Sequence, residues 1–162
     1  MPGLRGFLED LERRGELLRV EGELSPRFEI PAVLRALDGG PAVLFERVEG
    51  FDSKVVGGVC ATRGRICRAL GIEPSAFYQR LLHAVEHPTP VEVIEDGPVK
   101  EVVEEASLDR LPVLTHFKGD PGPYITSGIL YARSPDGSVE NVSFHRILIL
   151  DDKRATLRIV PR

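Results

Sequence analysis

The chain has 162 residues, of which 42% are hydrophobic, and no stretch is long and apolar enough to cross a membrane. Its formal net charge is -4, and the lysine and arginine residues are scattered rather than gathered into a stripe, which argues against a nucleic-acid-binding protein. Cys60 and Cys67 are the only cysteines, and we expect no signal peptide ahead of them. We therefore expect a reducing, cytoplasmic compartment and two buried thiols.

One compositional bias stands out among the polar residues. Arginine outnumbers lysine 17 to 4, whereas asparagine, glutamine and methionine occur once each. A depletion of thermolabile side chains is typical of thermophilic proteins, although a GC-rich genome also favours arginine. The bias singles out Asn141 as the one asparagine that the chain has kept.

Apolar residues at helical spacing predict two helices in the first forty residues, and glycines end both of them. The first stripe is Leu4, Phe7, Leu8 and Leu11, and the second is Ile30, Val33, Leu34 and Leu37. Strands are predicted at 17–24, 42–48 and 54–60. A helix from Thr62 to Leu70 should end at Gly71, and another, Ser75 to Glu86, should follow. We expect this last helix to turn four apolar residues inward, namely Phe77, Leu81, Leu82 and Val85.

Strands and helices therefore alternate over residues 1–90, which predicts a small N-terminal α/β domain that ends at the proline-rich run His87–Pro90. Residues 91–162 predict a different pattern of successive antiparallel strands. Two of them, 91–95 and 99–104, should form a hairpin around Asp96 and Gly97, and a last strand should span 155–160. Such strands begin a β-barrel or a sandwich. Because their apolar edges would be open, we expect another chain or a further part of the same chain to cover them.

A central hairpin carries most of the residues that could perform chemistry. Its arms are rich in β-branched and aromatic residues, and the Ser134–Gly137 segment between them has the composition of a type I turn. Strand alternation places Asn141, Ser143 and His145 on one face of the second arm and Val142, Phe144 and Arg146 on the other. Thr126 lies on the first arm, close to them.

Four segments together resemble the UbiD family of decarboxylases. They are the opening LRGFLEDLERRGEL, PVEVIEDGPVKEV at 90–102, GPYIT at 122–126 and NVSFHR at 141–146. Their order and spacing are similar to those of the family over the whole chain. The resemblance implies an α+β fold in which the N-terminal domain precedes the first strands of a split β-barrel like that of flavin reductases.

The resemblance also implies a function, namely the reversible, non-oxidative decarboxylation of an unsaturated or aromatic carboxylic acid with prenylated FMN. By position, Thr126, Asn141, Ser143, Phe144 and Arg146 match cofactor-binding residues of the family, and Arg146 also matches a catalytic arginine. Asn141 matches a ligand of the divalent ion, usually Mn2+, that bridges to the cofactor phosphate beside a K+ ion. An asparagine oxygen suits such a hard cation, and a planar guanidinium suits a carboxylate.

The family's other metal ligands and acidic catalytic residues have no counterpart in these 162 residues. We therefore expect a subunit or amino-terminal part of the enzyme, inactive alone, that is completed by a partner chain or a further segment. An oligomer and a flavin prenyltransferase that supplies the cofactor are also implied. A non-catalytic cofactor-handling or assembly module is the alternative. The substrate stays open, although the thermophilic composition favours an isoprenoid precursor.

Three further features have both a functional and a structural interpretation. Arg63, Arg65 and Arg68 at a helix start could hold a phosphate, or they could form a solvated face. His116 and His145 are single imidazoles that lack partners at ligand spacing. Finally, Asn141 and Arg146 are five residues apart, so both can face the cofactor only if the strand is irregular between them, and we expect a bulge there.

Overall fold

A computed structural model describes residues 3–90 and 92–159. Its helices are α1 (Leu4–Arg13), α2 (Glu29–Ala36), α3 (Arg63–Leu70) and α4 (Phe77–Glu86), and its strands are β1 (Leu17–Leu24), β2 (Ala42–Val48), β3 (Val55–Gly57), β4 (Tyr124–Arg133), β5 (Glu140–Ile149) and β6 (Ala155–Leu157). Two three-stranded sheets have the orders β1-β2-β3 and β4-β5-β6. The α+β class predicted from the sequence is confirmed.

Local sequence signals fix the helix ends in the first half of the chain. The Thr62 hydroxyl accepts a hydrogen bond of 3.3 Å from the Arg65 backbone N–H and so caps α3. Gly71 follows that helix in the left-handed conformation with φ 66°, which glycine adopts without strain. The predicted boundaries of α3 are therefore confirmed. The β3 strand is shorter than predicted because Gly58, at φ 68°, turns the chain away after Gly57.

Two predictions of burial are wrong. Leu81, Leu82 and Val85 of α4 are exposed rather than turned inward, and Val85 retains 79% of its accessible surface. Cys60 is exposed because it lies in the turn between β3 and α3, whereas Cys67, on α3, is buried. A helical apolar stripe predicts a face that can be covered, but it does not state which part of the molecule covers it.

The hairpin predicted at 91–104 is also wrong. Between 92 and 104 the described backbone contains no strand and forms only a short 3₁₀ turn, Pro98–Lys100. Val93, Val99 and Val103 are each exposed by 87% or more. Alternating apolar residues form a strand only when a neighbouring strand takes up their hydrogen bonds, and the described residues do not provide such a neighbour here.

The chain divides into two compact units, so far as their residues are described. The first comprises Met1–Leu18, Leu37–Val43 and Val56–Glu105, and the second comprises Arg19–Ala36, Leu44–Val55 and Ala106–Arg162. A domain boundary at residue 90 stays a prediction.

In the first unit, Phe7, Leu11 and Ala42 form a buried cluster. In the same unit Arg65, only 4% exposed, donates to the carbonyl oxygens of Gly58 and Gly40. It also forms an ion pair of 3.5 Å with Glu16.

The arginine cluster at the start of α3 therefore has a structural explanation. The guanidinium of Arg65 is already engaged in its two hydrogen bonds and its ion pair. Arg68 lies 2.9 Å from a Glu16 carboxylate oxygen. Arg63 donates to the Pro74 carbonyl oxygen at 3.1 Å and lies over the rings of Phe77 and Tyr78, 4.8 and 4.7 Å from their centroids. These contacts favour neither the phosphate site nor the solvated face that the sequence alone left open.

The central hairpin lies in the second unit. The predicted turn is confirmed, since the Gly137 N–H donates to the Ser134 carbonyl oxygen at 2.8 Å and Gly137 has φ 73°. Residues 124–133 and 140–149 form the two arms, and β6 adds a third antiparallel strand. The last strand ends at Leu157 rather than at Val160, which lies outside the described residues. No helix among the described residues is long and apolar enough to pass through a bilayer.

Candidate functional site

The pairing of β4 with β5 is interrupted at one place. Ile125 pairs with Ile147, and the next pair is Gly128 with His145, so that Thr126 and Ser127 together oppose Arg146. Two residues facing one is the arrangement of a β-bulge, which bends its strand and changes the direction of its side chains.

This bulge differs in position from the predicted one. From Asn141, which pairs with Ala132, to His145, which pairs with Gly128, the register of β5 is continuous. The prediction of an irregularity between Asn141 and Arg146 on β5 is therefore wrong, and the extra residue lies on β4. Gly128 closes the bulge, and a Cβ atom added there would lie 2.9 Å from Ile147 Cδ1 and 3.3 Å from the His145 carbonyl oxygen.

A cavity of about 630 Å³ opens beside the bulge. Its volume falls within the range of about 300–1,000 Å³ that is usual for small-molecule sites. Thr126 and Arg146 both line it, so the structure brings together two of the five predicted cofactor-binding residues. The remaining lining residues are His116, Phe117, Asp120, Tyr124, Leu148, Thr156, Leu157 and Arg158.

Two guanidinium groups give the cavity its electrostatic character. Neither Arg146 nor Arg158 has a side-chain hydrogen bond or ion pair with any residue in 3–90 or 92–159. Asp120 is the one carboxylate among the lining residues, and it already accepts a hydrogen bond of 2.9 Å from the Phe117 N–H. Because arginine remains charged at all physiological pH values, the cavity is suited to an anionic group such as a phosphate or a carboxylate.

The segment that bears His116 and Phe117 is anchored through the preceding residue, Thr115. The Thr115 N–H donates to the Pro26 carbonyl oxygen at 3.1 Å, and the Thr115 carbonyl oxygen accepts from the Phe28 N–H at 3.0 Å. Phe28, which donates in this contact, has φ 74°, a conformation that costs about 1 kcal/mol for a residue with a side chain. His116 is thereby placed on the wall of the cavity, although its role stays a prediction.

The other three predicted cofactor-binding residues do not join Thr126 and Arg146 among the lining residues. Phe144 lies on the same strand face as Arg146 and is 77% exposed. Asn141 and Ser143 lie on the opposite face with His145, and the Ser143 hydroxyl is 2.8 Å from His145 Nε2. The described residues therefore provide a cavity with two cations on one face of β5 and a polar row on the other.

The described residues do not form a complete metal site. No group of three or more His, Cys, Asp or Glu side chains in 3–90 and 92–159 is placed to hold a metal ion. Asn141 offers a single amide oxygen on an exposed part of β5. One such oxygen is too few to hold a hard divalent cation, which takes about six oxygen ligands.

Sequence reasoning missed several lining residues. Arg158 was not singled out, although it is the first residue after β6 and directly follows Leu157, which pairs with Ile147. Tyr124 belongs to the same motif as Thr126, two residues earlier, and strand alternation could have placed both on one face. Asp120 and Thr156 carry no comparable signal in the sequence.

The fold corresponds to the amino-terminal part of a carboxy-lyase. Residues 8–85 match the 3-octaprenyl-4-hydroxybenzoate carboxy-lyase N-terminal domain, and residues 91–162 match the Rift-related domain of the same enzyme class. The chain belongs to the UbiD family.

Individual relatives agree with this assignment. The chain is 36% identical over 159 residues to the anhydromevalonate phosphate decarboxylase of Methanothermobacter thermautotrophicus, across 98% of this chain and 37% of that protein. It is 41% identical to the UbiD-class enzyme HmfF from Pelotomaculum thermopropionicum, solved in complex with FMN, with a TM-score of 0.92 over 98% of this chain and 37% of that one. An evolved dimeric form of HmfF in complex with prFMN gives a TM-score of 0.91 at 41% identity, over 98% of this chain and 38% of the other. The chain thus spans just over a third of the length of these relatives.

Proposed function

We propose that this chain provides the cofactor cavity of a UbiD-type decarboxylase, in which an unsaturated or aromatic carboxylic acid loses CO2 reversibly and without net oxidation. The observation that carries the proposal is the cavity beside the bulge, where Thr126 meets two guanidinium groups that have no partner among the described residues. Prenylated FMN, when bound, supplies an electron-accepting ring system at which the acid can react.

The residues of the cavity fit an anionic flavin. Arg146 and Arg158 offer planar donor groups to a phosphate or a carboxylate, and the Thr126 hydroxyl offers a further hydrogen bond. The apolar side chains of Leu148 and Leu157 cover part of the wall and would exclude water from a ring placed there.

Arg146 has two roles in this proposal. Its guanidinium holds the substrate carboxylate and orients an acidic partner that the remaining part of the enzyme supplies. Since arginine does not lose its charge in proteins, it stays a hydrogen-bond donor throughout and moves no proton itself. The proton that replaces CO2 must therefore come from another group.

Asn141 contributes one oxygen to a Mn2+ ion in this proposal, and the other protein ligands, together with a K+ site, come from residues outside this chain. The described residues alone do not fit a metal ion, so no step depends on it here.

We further propose that a partner chain or further segment completes the barrel, that the enzyme is a cytoplasmic oligomer, and that a flavin prenyltransferase supplies its cofactor. The named activity of the archaeal relative favours a phosphorylated, unsaturated acid of isoprenoid biosynthesis as substrate. Two guanidinium groups without a partner among the described residues suit a ligand with more than one anionic group.

The decisive experiment uses the complete enzyme, in which this chain is joined by the part that completes it. The enzyme is loaded with prenylated FMN and offered anhydromevalonate phosphate, a hydroxybenzoate and a cinnamate, and the release of CO2 is measured. We expect release from at least one acid by the loaded enzyme and none by the enzyme without cofactor. If the loaded enzyme binds the cofactor but decarboxylates none of the acids, the non-catalytic alternative is favoured instead.

A further inference from the structure

The ladder between β5 and β6 ends next to the two arginines of the cavity. Ile149 pairs with Ala155, Leu148 with Thr156 and Ile147 with Leu157, after which the pairing stops. Arg146 and Arg158 are the next two residues along the antiparallel strands. Like charges at opposed positions repel each other, which disfavours an extension of the ladder to these two arginines.

Where the backbone ladder ends, a side chain of β5 contacts the backbone that follows β6. His145 Nδ1 lies 3.3 Å from the Arg158 carbonyl oxygen, and a carbonyl oxygen can only accept a hydrogen bond. Nδ1 must therefore carry the proton. The second ring nitrogen, Nε2, lies 2.8 Å from the Ser143 hydroxyl, which can donate to it. Both ring nitrogens of His145 therefore have a hydrogen-bond partner.

His145 acts from the opposite side of the strand. It is half-buried, it alternates with Arg146 along β5, and it is not among the residues that line the cavity. It therefore reaches the backbone of Arg158 without contacting a ligand in the cavity. Arg158, in contrast, is among the residues that line the cavity, as is Arg146.

We infer that His145 is a positioning residue, whose Nδ1–H holds the Arg158 backbone beside Arg146 by a hydrogen bond. The two guanidinium groups thereby form one binding site for an anionic ligand. The inference rests on the proposed function, because the anion is taken to be the flavin phosphate or the substrate carboxylate. Ser143 completes the arrangement by holding the ring in the required tautomer.

Two substitutions at His145 separate the two hydrogen bonds. His145→Asn places an amide N–H near the position of Nδ1 and keeps the bond to Arg158, whereas His145→Gln reaches the position of Nε2 and keeps only the bond to Ser143. The probe is FMN, titrated by fluorescence quenching into the complete enzyme without cofactor. We expect His145→Gln to raise the Kd for FMN about tenfold and His145→Asn to change it by less than about threefold.

A double substitution tests whether the effect passes through Arg158. In the Arg158→Gln background we expect His145→Gln to cause no further loss of affinity, because the residue that it positions is already gone. Additive losses, or equal losses for the Asn and Gln variants, would overturn the inference. Circular dichroism and the Tm of each variant verify that it is folded. If His145→Gln fails to fold, His145→Ala takes its place, and a Kd for FMN equal to that of the parent would overturn the inference.

The same titration, with Arg146→Gln as a further variant, distinguishes a failure of this inference from a failure of the proposed function. If Arg158→Gln and Arg146→Gln both leave the Kd for FMN unchanged, the cavity does not bind the flavin and the proposed function fails. If these two variants bind FMN weakly and His145→Gln binds it like the parent, the proposed function survives and only the role of His145 is wrong.

Discussion

Arginine side chains lie in opposite surroundings in the two units. In the first unit Arg65 is 4% exposed, donates to two carbonyl oxygens and faces Glu16 across an ion pair. In the second unit Arg146 and Arg158 line an open cavity and have no hydrogen bond or ion pair with the described residues. A buried arginine is tolerated only when its charge and its hydrogen-bond donors are paired, so we assign Arg65 a structural role. Arg146 and Arg158 remain available to bind a ligand.

The largest effect that this comparison predicts is on stability. Arg65→Met should lower the free energy of unfolding by about 3 kcal/mol, because it leaves the carbonyl oxygens of Gly58 and Gly40 without their donor and Glu16 with Arg68 as its remaining cation. Urea denaturation of the complete enzyme measures the change. Arg63→Met on the same helix is the matched control and should cost about 1 kcal/mol or less, since Arg63 is exposed. Equal losses in the two variants would contradict the structural role of Arg65.

The opposite result is expected for the cavity. Arg146→Lys keeps the charge but loses the planar fork, and it should lower the rate of decarboxylation by the loaded enzyme about 100-fold. Its free energy of unfolding should change by less than about 0.5 kcal/mol, because Arg146 is exposed and unpaired toward the described residues. Turnover at the parent rate would make Arg146 a structural residue.

The polar face of β5 supplies the next prediction. Replacing Asn141 by Ala in the complete enzyme should lower the retention of prenylated FMN about tenfold, since the proposed bridge from Mn2+ to the cofactor phosphate loses a ligand. The flavin that stays with the protein after gel filtration, with and without added Mn2+, measures this effect. Asn141→Asp retains an oxygen donor and should keep more flavin than the Ala variant. Unchanged flavin content and activity after Asn141→Ala would show that the residue has another role.

The two regions also differ in how far the sequence could predict them. Helix α3 follows from local signals, because Thr62 and Gly71 determine its ends whatever surrounds it. The central hairpin likewise follows from its turn residues and β-branched arms. The coil at 92–104 and the exposed face of α4 could not be foreseen, because local periodicity states that an apolar face exists but not whether another part of the chain covers it.

The candidate site shows the same limit. Thr126 and Arg146 could be identified from a motif, and the structure brings them to one cavity. Arg158 enters the cavity through the register of β6, which depends on pairing between strands rather than on any local pattern. The bulge was expected on β5 and lies on β4, since either strand of a pair can carry the extra residue.

The smallest effect concerns the turn that joins the two arms of the hairpin. Hydrogen bonds from the Ser134 hydroxyl and from the Ser138 N–H and hydroxyl lower the pKa of Asp136 from 3.8 to about 2. A pKa that is lower in the folded state adds stability that is present above pH 3.8 and is lost as the pH falls toward 2. Because the carboxylate is exposed, Asp136→Asn should lower the Tm by only about 1–2 °C at pH 6, and the difference should shrink as the pH approaches 2.5.

Asp38→Asn, at an exposed carboxylate without a hydrogen bond to the described residues, should leave the Tm unchanged at both pH values. A loss after Asp136→Asn that is equally large at both pH values would mean that the turn depends on the shape of Asp136 rather than on its charge.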